Sequence, residues 1–377
     1  MSFKTLLVTG GAGFIGANFV HHVLRMRPDW RIINLDALTY AGNPANFRGL
    51  PPDLSKRHQL IHGDILDAPL IERSFEENNL DGVIHFAAET HVDRSIVGPE
   101  AFLETNVLGT FRLLEVSKKF WESAGRPEEF RFLHISTDEV YGSLGPQGYF
   151  TEETPYNPSS PYSASKAASD HFVKAYFRTY GLPTLITNCS NNYGPYQFPE
   201  KLIPLIILNI LEKKPLPIYG DGKNVRDWLY VIDHCDALIR VLEKGVPGET
   251  YNIGGGAERQ NIEIVQLLCD LMDTRIDCSG QAGLPLQGSN GQGSSRRLIR
   301  FVADRPGHDH RYAIDISKIR RELNWQPRYA FEKALEATVD WYLNHLDWVN
   351  SVRSGEYRKW IAMNYEGREP VCFPKHA

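Results

Sequence analysis

The stretch Thr5-Leu-Leu-Val-Thr-Gly-Gly-Ala-Gly-Phe-Ile-Gly16 decides the fold. Five β-prone residues run into glycines at the spacing Gly10-x-x-Gly13-x-x-Gly16, and a helical pattern follows at once. Glycine here permits a tight turn and lets backbone N–H groups approach a pyrophosphate, whose charge then meets the helix N-terminus. A glycine-rich turn alone is weak evidence. Between the first strand and the first helix of a βαβ unit it stands in the context that gives it meaning. Asp36 ends the second β-prone run, twenty residues past Gly16. An acid there accepts hydrogen bonds from an adenosine ribose and repels a 2′-phosphate, so NAD is expected rather than NADP. Asp64 and Ile65 follow the third run; they hold the adenine edge, or Asp64 caps the next helix.

Outward from this turn, β-prone runs recur at Arg31–Leu35, Gln59–His62, Gly82–Ala87, Arg131–Thr137 and Thr184–Asn188. Helical patterns lie between them, near Gly13–Arg27, Pro69–Asn78, Glu100–Ser123 and Pro161–Tyr180. This alternation predicts an α/β fold, a Rossmann-type doubly wound parallel sheet. After Asn188 the pattern loosens. Proline, glycine and aromatic residues crowd Asn191–Pro199 and Pro215–Asp227, and helical patterns return at Ile203–Leu211, Ile232–Leu242, Ile262–Met272 and Phe331–Leu343. We expect a smaller α/β substrate lobe over the ligand-binding edge of the sheet. The division is residues 1–190 plus about 226–253 for the NAD-binding domain, 191–225 plus about 254–330 for the lobe, and 331–377 for a C-terminal helix and tail. Ser279 to Ser295 is rich in glycine, serine and glutamine and reads as a flexible spacer.

At 377 residues with 42% apolar content the chain can bury a large core, and a net charge of −5 carries no nucleic-acid footprint. The apolar run Leu202 to Leu211 is too short to span a bilayer, and the N-terminus shows no signal-peptide pattern. Five scattered cysteines show no metal spacing. A cytoplasmic enzyme without a metal is expected.

Two motifs carry chemistry. Thr137, Asp138 and Glu139 close the run Phe132 to Gly142, with paired carboxylates at a strand's C-terminal end. Such a pair stabilises no local structure, but open α/β sheets bind ligands there, and an acid beside a base suits proton transfer. Burial and repulsion are expected to keep Asp138 protonated while Glu139 stays ionised. The second motif is Tyr162-Ser-Ala-Ser-Lys166, after Ser159-Ser-Pro161. Proline suits a first helical turn, so Tyr162 and Lys166 share one helix face. The ammonium is expected to lower the phenol's pKa and make it a base. His85, His91 and His134 flank these strands and read as structural.

The Gly-x-x-Gly-x-x-Gly turn and the Tyr-x-x-x-Lys pair resemble the extended short-chain dehydrogenase/reductase family. Ala87-Ala-Glu-Thr-His-Val-Asp-Arg-Ser95, Ser136-Thr-Asp-Glu-Val-Tyr-Gly142, Asn188-Cys-Ser-Asn-Asn-Tyr-Gly194 and Asp304-Arg-Pro-Gly-His308 are similar to its dTDP-glucose 4,6-dehydratase branch. The likeness runs from Leu6 to about Gly367. It implies oxidation at the sugar 4-position, loss of water across the 5- and 6-positions, and return of the hydride to the 6-position of the sugar. It casts Tyr162 as base at the 4-hydroxyl with Lys166 in support, Thr137 as its positioner, Glu139 as base at the 5-position and Asp138 as acid at the 6-hydroxyl. It adds Phe14, Ile15, Leu38, Thr39, Ala87, Ala88, Thr105 and Asn192 to the cofactor site. Cationic and hydrogen-bonding clamps for a nucleoside diphosphate are expected from Lys201, Arg226, Arg305 and His308. The resemblance adds Thr90, Asn191, Leu202, Pro217, Ile218, Tyr219, Asn261 and Asp304. It also implies a homodimer through a four-helix bundle. Dehydratases of UDP- or CDP-glucose, epimerases, decarboxylases and a non-catalytic NAD-binding regulator are the alternatives; the acid pair argues against the epimerase. The chain departs from the family pattern in the longer Ser279–Ser295 segment and a compact stretch from Gly142 to Glu152.

Overall fold

A computed structural model of the chain describes residues 4–279 and 294–353. Its strands are β1 (Thr5–Thr9), β2 (Arg31–Asp36), β3 (His58–His62), β4 (Gly82–His85), β5 (Arg131–Thr137), β6 (Thr184–Cys189), β7 (Asn191–Tyr193), β8 (Leu216–Tyr219), β9 (Val225–Tyr230), β10 (Thr250–Ile253), β11 (Glu258–Gln260) and β12 (Ile299–Val302). The main sheet has the order β10-β6-β5-β4-β1-β2-β3, with every pairing parallel. Its central strands are apolar on both faces because helices cover both; all seven residues of β5 are buried. Side chains alternate along β1. Leu6 and Val8 pack with Phe19, Val20 and Val23 of the Phe14–Met26 helix and Leu238 of the Val231–Lys244 helix. Leu7 faces the other way, toward Phe75, Leu113, Leu114 and Val173.

The strand order reverses between β1 and β4. In such sheets the crevice beyond the carboxyl ends of the strands at this reversal is the ligand site. The chain then leaves the main sheet to form β7, β9 and β11 in one small sheet and β8 with β12 in another. A separate core, with Ile206, Ile207, Leu268, Val339 and Tyr342, supports them. The Val231–Lys244 helix and β10 return to the main sheet between excursions.

Several expectations shift. The stretch expected as one helix over Glu100–Ser123 is a short α segment, a π turn at Leu103–Gly109 and an α-helix at Thr110–Ser123. The wide turn is held from outside. The Asn106 side chain bonds Glu89 N–H at 2.8 Å, Glu89 C=O at 3.0 Å and Ser165 Oγ at 2.8 Å, and Ser169 donates to its carbonyl. Such π turns cluster at functional sites, and Thr105 lines the cleft here. β4 ends at His85, before Phe86 and Ala87. The helix expected over Ile262–Met272 spans Asn261–Ser279. The strands β7 and β8 lie where no strand was expected, because strands of three and four residues leave too short a pattern to read. Most of the Ser279–Ser295 spacer and the tail beyond residue 353 lie outside the described residues.

Candidate active site

The turn after β1 explains its glycines one by one. Gly10 has φ +70°, and a Cβ there would stand 2.5 Å from Ala87 N. A Cβ on Gly16 would meet Gly10 O at 2.4 Å, so this glycine brings helix and strand together. Gly13, the N-cap of the Phe14–Met26 helix, is extended and open, with only Gly10 O near its Cβ position at 3.4 Å. An uncapped helix N-terminus opening on a cleft fits a pyrophosphate. Asp36 is buried; its carboxylate takes Ala12 N–H at 2.7 Å and Leu38 N–H at 2.8 Å, and burial raises its pKa. Leu38 turns the chain with φ +51° but does not line the cleft; Thr39 does. Asp67, not Asp64, caps the next helix; Asp64 and Ile65 line the cleft. The donor set, an open helix end and a strand-end acid, fits NAD.

The same cleft continues past Ala87, Ala88 and Thr105 to Thr90, Thr137, Asp138, Glu139, Tyr162, Lys166, Asn191, Asn192 and Lys201. Tyr162 and Lys166 ride on the Pro161–Tyr180 helix, which opens with Ser160 as N-cap in a reciprocal bond with Ser163 and Pro161 in its first turn. β5 ends at Thr137, whose hydroxyl accepts Glu139 N–H at 3.3 Å and contacts Asp138 Oδ1 at 3.4 Å. Asn192 Oδ1 is 2.9 Å from His234 Nδ1.

Electrostatics separate the two acids. Burial drives the Asp138 pKa well up, and the charges of Glu139 and Asp227 push it further. Its Oδ2 has no hydrogen-bond partner among the described residues. Burial also raises Glu139, but Arg305, Lys201 and Arg226 pull it back. Asp138 is therefore pushed further toward the acid form than Glu139. Tyr162 corrects an expectation. Burial and the charge of Glu139 hold its phenol well above the ordinary tyrosine range, and the hydrogen bond from Thr137 only partly offsets them. The neighbouring Lys166 does not outweigh them. Nζ donates to Ile135 C=O at 2.8 Å and lies 3.3 Å from His134 Nε2, and burial lowers the lysine to about 8.

The substrate-lobe candidates divide. Lys201 and Thr90 meet in the cleft, Nζ to C=O at 3.1 Å. Arg226, expected to reach over the site, is buried beside it. Its guanidinium bonds Asp309 C=O at 2.9 Å and lies 4.2 Å over the Tyr312 ring. On β8, Leu216 and Ile218 point into the lobe core while Pro217 and Tyr219 face the other way, so Ile218 is a core residue and not a cleft contact. Tyr219 OH meets Asp93 Oδ2 at 3.0 Å, and Arg305 reaches Asp93 Oδ1 at 3.5 Å. Asp304 holds His308 at 2.6 Å. Leu202 packs partly buried against the lobe core, and Asn261 starts its helix by donating N–H to Asn224. Neither these nor Pro217, Tyr219, Arg226, Asp304, Arg305 and His308 line the cleft.

Sequence reading missed Glu89 and Glu200, which line the cleft, and Asp170 behind it. Glu200 ties Tyr40 at 3.1 Å to Arg94 at 3.3 Å. Only Asp170 left a signal, its place four residues after Lys166. His85 is a satisfied structural histidine, 2.7 Å from Thr9 and 2.9 Å from Thr110.

The family model described as GDP-mannose 4,6 dehydratase matches residues 7–338. The dTDP-glucose 4,6-dehydratase of Salmonella typhimurium is 53% identical, over 97% of this chain and 99% of its own length. That of Xanthomonas campestris pv. campestris strain B100 is 56% identical, over 94% and 97%. A crystal structure of the Streptomyces venezuelae enzyme of the same name, solved with NAD bound, superposes with a TM-score of 0.81 at 46% identity, covering 92% of this chain and 99% of that one. With the open glycine turn, the Tyr162–Lys166 pair and the acid pair in one cleft, the chain belongs to the dTDP-glucose 4,6-dehydratase branch of the extended short-chain dehydrogenase/reductase family.

Proposed function

We propose that this chain is an NAD-dependent hydro-lyase that converts dTDP-glucose to dTDP-4-keto-6-deoxyglucose and water. The observation that carries this reading is the acid pair, Asp138 and Glu139, in one cleft with Tyr162. NAD, when bound, takes a hydride from the sugar 4-position and returns it at the 6-position, so it stays in place between turnovers. The residues do the rest. Tyr162 takes the 4-hydroxyl proton, and Thr137 positions the same oxygen. The 4-ketone acidifies the 5-position, and Glu139, kept ionised by Arg305 and Lys201, removes that proton. Asp138, kept protonated by burial and its acidic neighbours, gives its proton to the departing 6-hydroxyl, and Glu139 hands its proton back to the 5-position as the hydride reaches the 6-position.

Gly10, Gly13, Phe14, Ile15, Gly16, Asp36, Thr39, Asp64, Ile65, Ala87, Ala88, Thr105 and Asn192 hold the cofactor in this reading. Lys201 serves the diphosphate from within the cleft, and Arg305, His308, Pro217 and Tyr219, beyond its lining, meet the part of the nucleotide that extends past it. Incubation with dTDP-glucose should yield the alkali-induced absorbance of a 4-keto sugar, with UDP- and CDP-glucose run beside it to rank the bases. No product from any of them sinks the reading.

A homodimer goes with this function. Leu103, Leu108 and Phe111 are exposed near the π turn, and Phe172 on the Pro161–Tyr180 helix is exposed beside Phe111 with ring centroids 6.0 Å apart. An apolar patch across two long helices fits a two-fold four-helix bundle, and sedimentation at micromolar concentration tests it. A cytoplasmic site is proposed from the free, buried thiols of Cys189, Cys235 and Cys269. Among the described residues no helix is long and apolar enough to cross a membrane.

A further inference from the structure

Behind the cleft lies a buried charged cluster that the reaction steps do not use. His134 Nε2 stands 3.3 Å from Lys166 Nζ and 3.3 Å from Asp170 Oδ1. The other carboxylate oxygen, Oδ2, accepts from Ser136 Oγ and Tyr156 OH, each at 2.9 Å. Lys166 is 3% exposed, and His134 and Asp170 are 0% exposed. An ammonium buried this deeply is costly unless an opposite charge answers it. The groups that face it are Tyr162 and Asp170 from its own helix, His134 from β5 and Cys189 from β6, with His85 of β4 behind His134. The Cys189 thiol is pushed up to about 12 and stays neutral, and burial keeps both imidazoles neutral. Asp170 alone among them offers a negative charge near neutral pH.

We propose that Asp170 is the buried counter-ion of Lys166, acting through space past the neutral His134 ring, and so a positioning residue for the oxidation half of the reaction. The inference rests on the dehydratase reading above. The geometry does two jobs. The carboxylate keeps the lysine charged while its Nζ stays bonded to Ile135 C=O. Its bonds to Ser136, the residue before Thr137, and to Tyr156 fix the carboxylate against the end of β5. Burial raises Asp170 to about 6 and lowers Lys166 to about 8, each opposed by the charge of the other, so between these values the pair is ionised.

Asp170→Asn tests this by removing the charge while keeping the size and an acceptor for Ser136 and Tyr156. The alkaline limb of kcat should move down by a pH unit or more, about tenfold lost activity per unit on that limb, with KM for the sugar nucleotide unchanged. Asp170→Glu should leave the limb in place. A limb unmoved in Asp170→Asn while kcat falls uniformly, or one moved equally by both variants, would overturn the proposal. If Asp170→Asn does not fold, Asp170→Ser removes the same charge and should move the limb the same way; an unmoved limb there is equally fatal. The Cε resonance of carbon-13 lysine at position 166, followed against pH with NAD bound, reads the same titration without turnover. An inert wild-type enzyme would sink the functional reading, whereas an unshifted resonance in Asp170→Asn would sink this one.

Discussion

The two ends of the catalytic cleft are built on opposite electrostatic plans. At the oxidation end, Tyr162 and Lys166 are backed by His134, Asp170, Ser136 and Tyr156, which bond one another behind the cleft. At the elimination end, Asp138 and Glu139 feel the charges of Arg226, Arg305 and Lys201, which come later in the chain. The first plan sets charge from behind, within one domain. The second sets it from across the cleft, and depends on where the lobe sits. The tyrosine and lysine should therefore be insensitive to changes in the lobe, while the acid pair should respond to them.

The largest expected effect breaks the oxidation end. Tyr162→Phe removes the acceptor for the 4-hydroxyl proton and should lower kcat by about 10²–10⁴, with no transient NADH seen by absorbance. Glu139→Gln strikes the other end with a comparable loss in turnover, but oxidation should still proceed, so NADH accumulates on the enzyme and product stalls. Normal turnover in that variant would remove Glu139 as the base. Arg305→Met is milder. Arg305 is the foremost influence pulling Glu139 back from its burial-raised pKa. Without it the carboxylate picks up its proton at higher pH, and the acid limb of kcat should move upward while the NADH transient keeps its pH profile. If both move together, the two ends are coupled and the contrast fails. The smallest change is Ser160→Ala, which removes the N-cap of the helix carrying Tyr162 and Lys166. It should cost about 1 kcal/mol in chemical denaturation and leave kcat nearly intact if packing, rather than the cap, holds the oxidation end.

The contrast also marks what could be read in advance. Gly10, Gly13, Gly16 and Asp36 are legible because the turn, the strand and the helix are contiguous, and each residue type answers a local need. The same holds for Tyr162 and Lys166, one helical turn apart, and for the adjacent acids. The lobe was harder. Ile218 was expected at the site and packs in the core, since a four-residue strand gives no pattern to say which face is inward. Arg226 was expected to reach outward and is stacked on Tyr312, eighty-six positions later in the chain. The phenol of Tyr162 was expected to be lowered and is raised, because burial and the charge of Glu139 act on it and the i, i+4 spacing shows neither.

The sequence by itself determined the doubly wound sheet, the cofactor turn and which candidate groups share the cleft, because these rest on local spacing along single elements. The tertiary structure decided the charge of each group. The pKa values of Asp138, Glu139, Tyr162 and Lys166 follow from burial and from Asp227, Arg305, Lys201 and Asp170. Most of these neighbours come from other strands and loops. Desolvation and Coulomb energy depend on distance through space, and only the folded chain sets that distance.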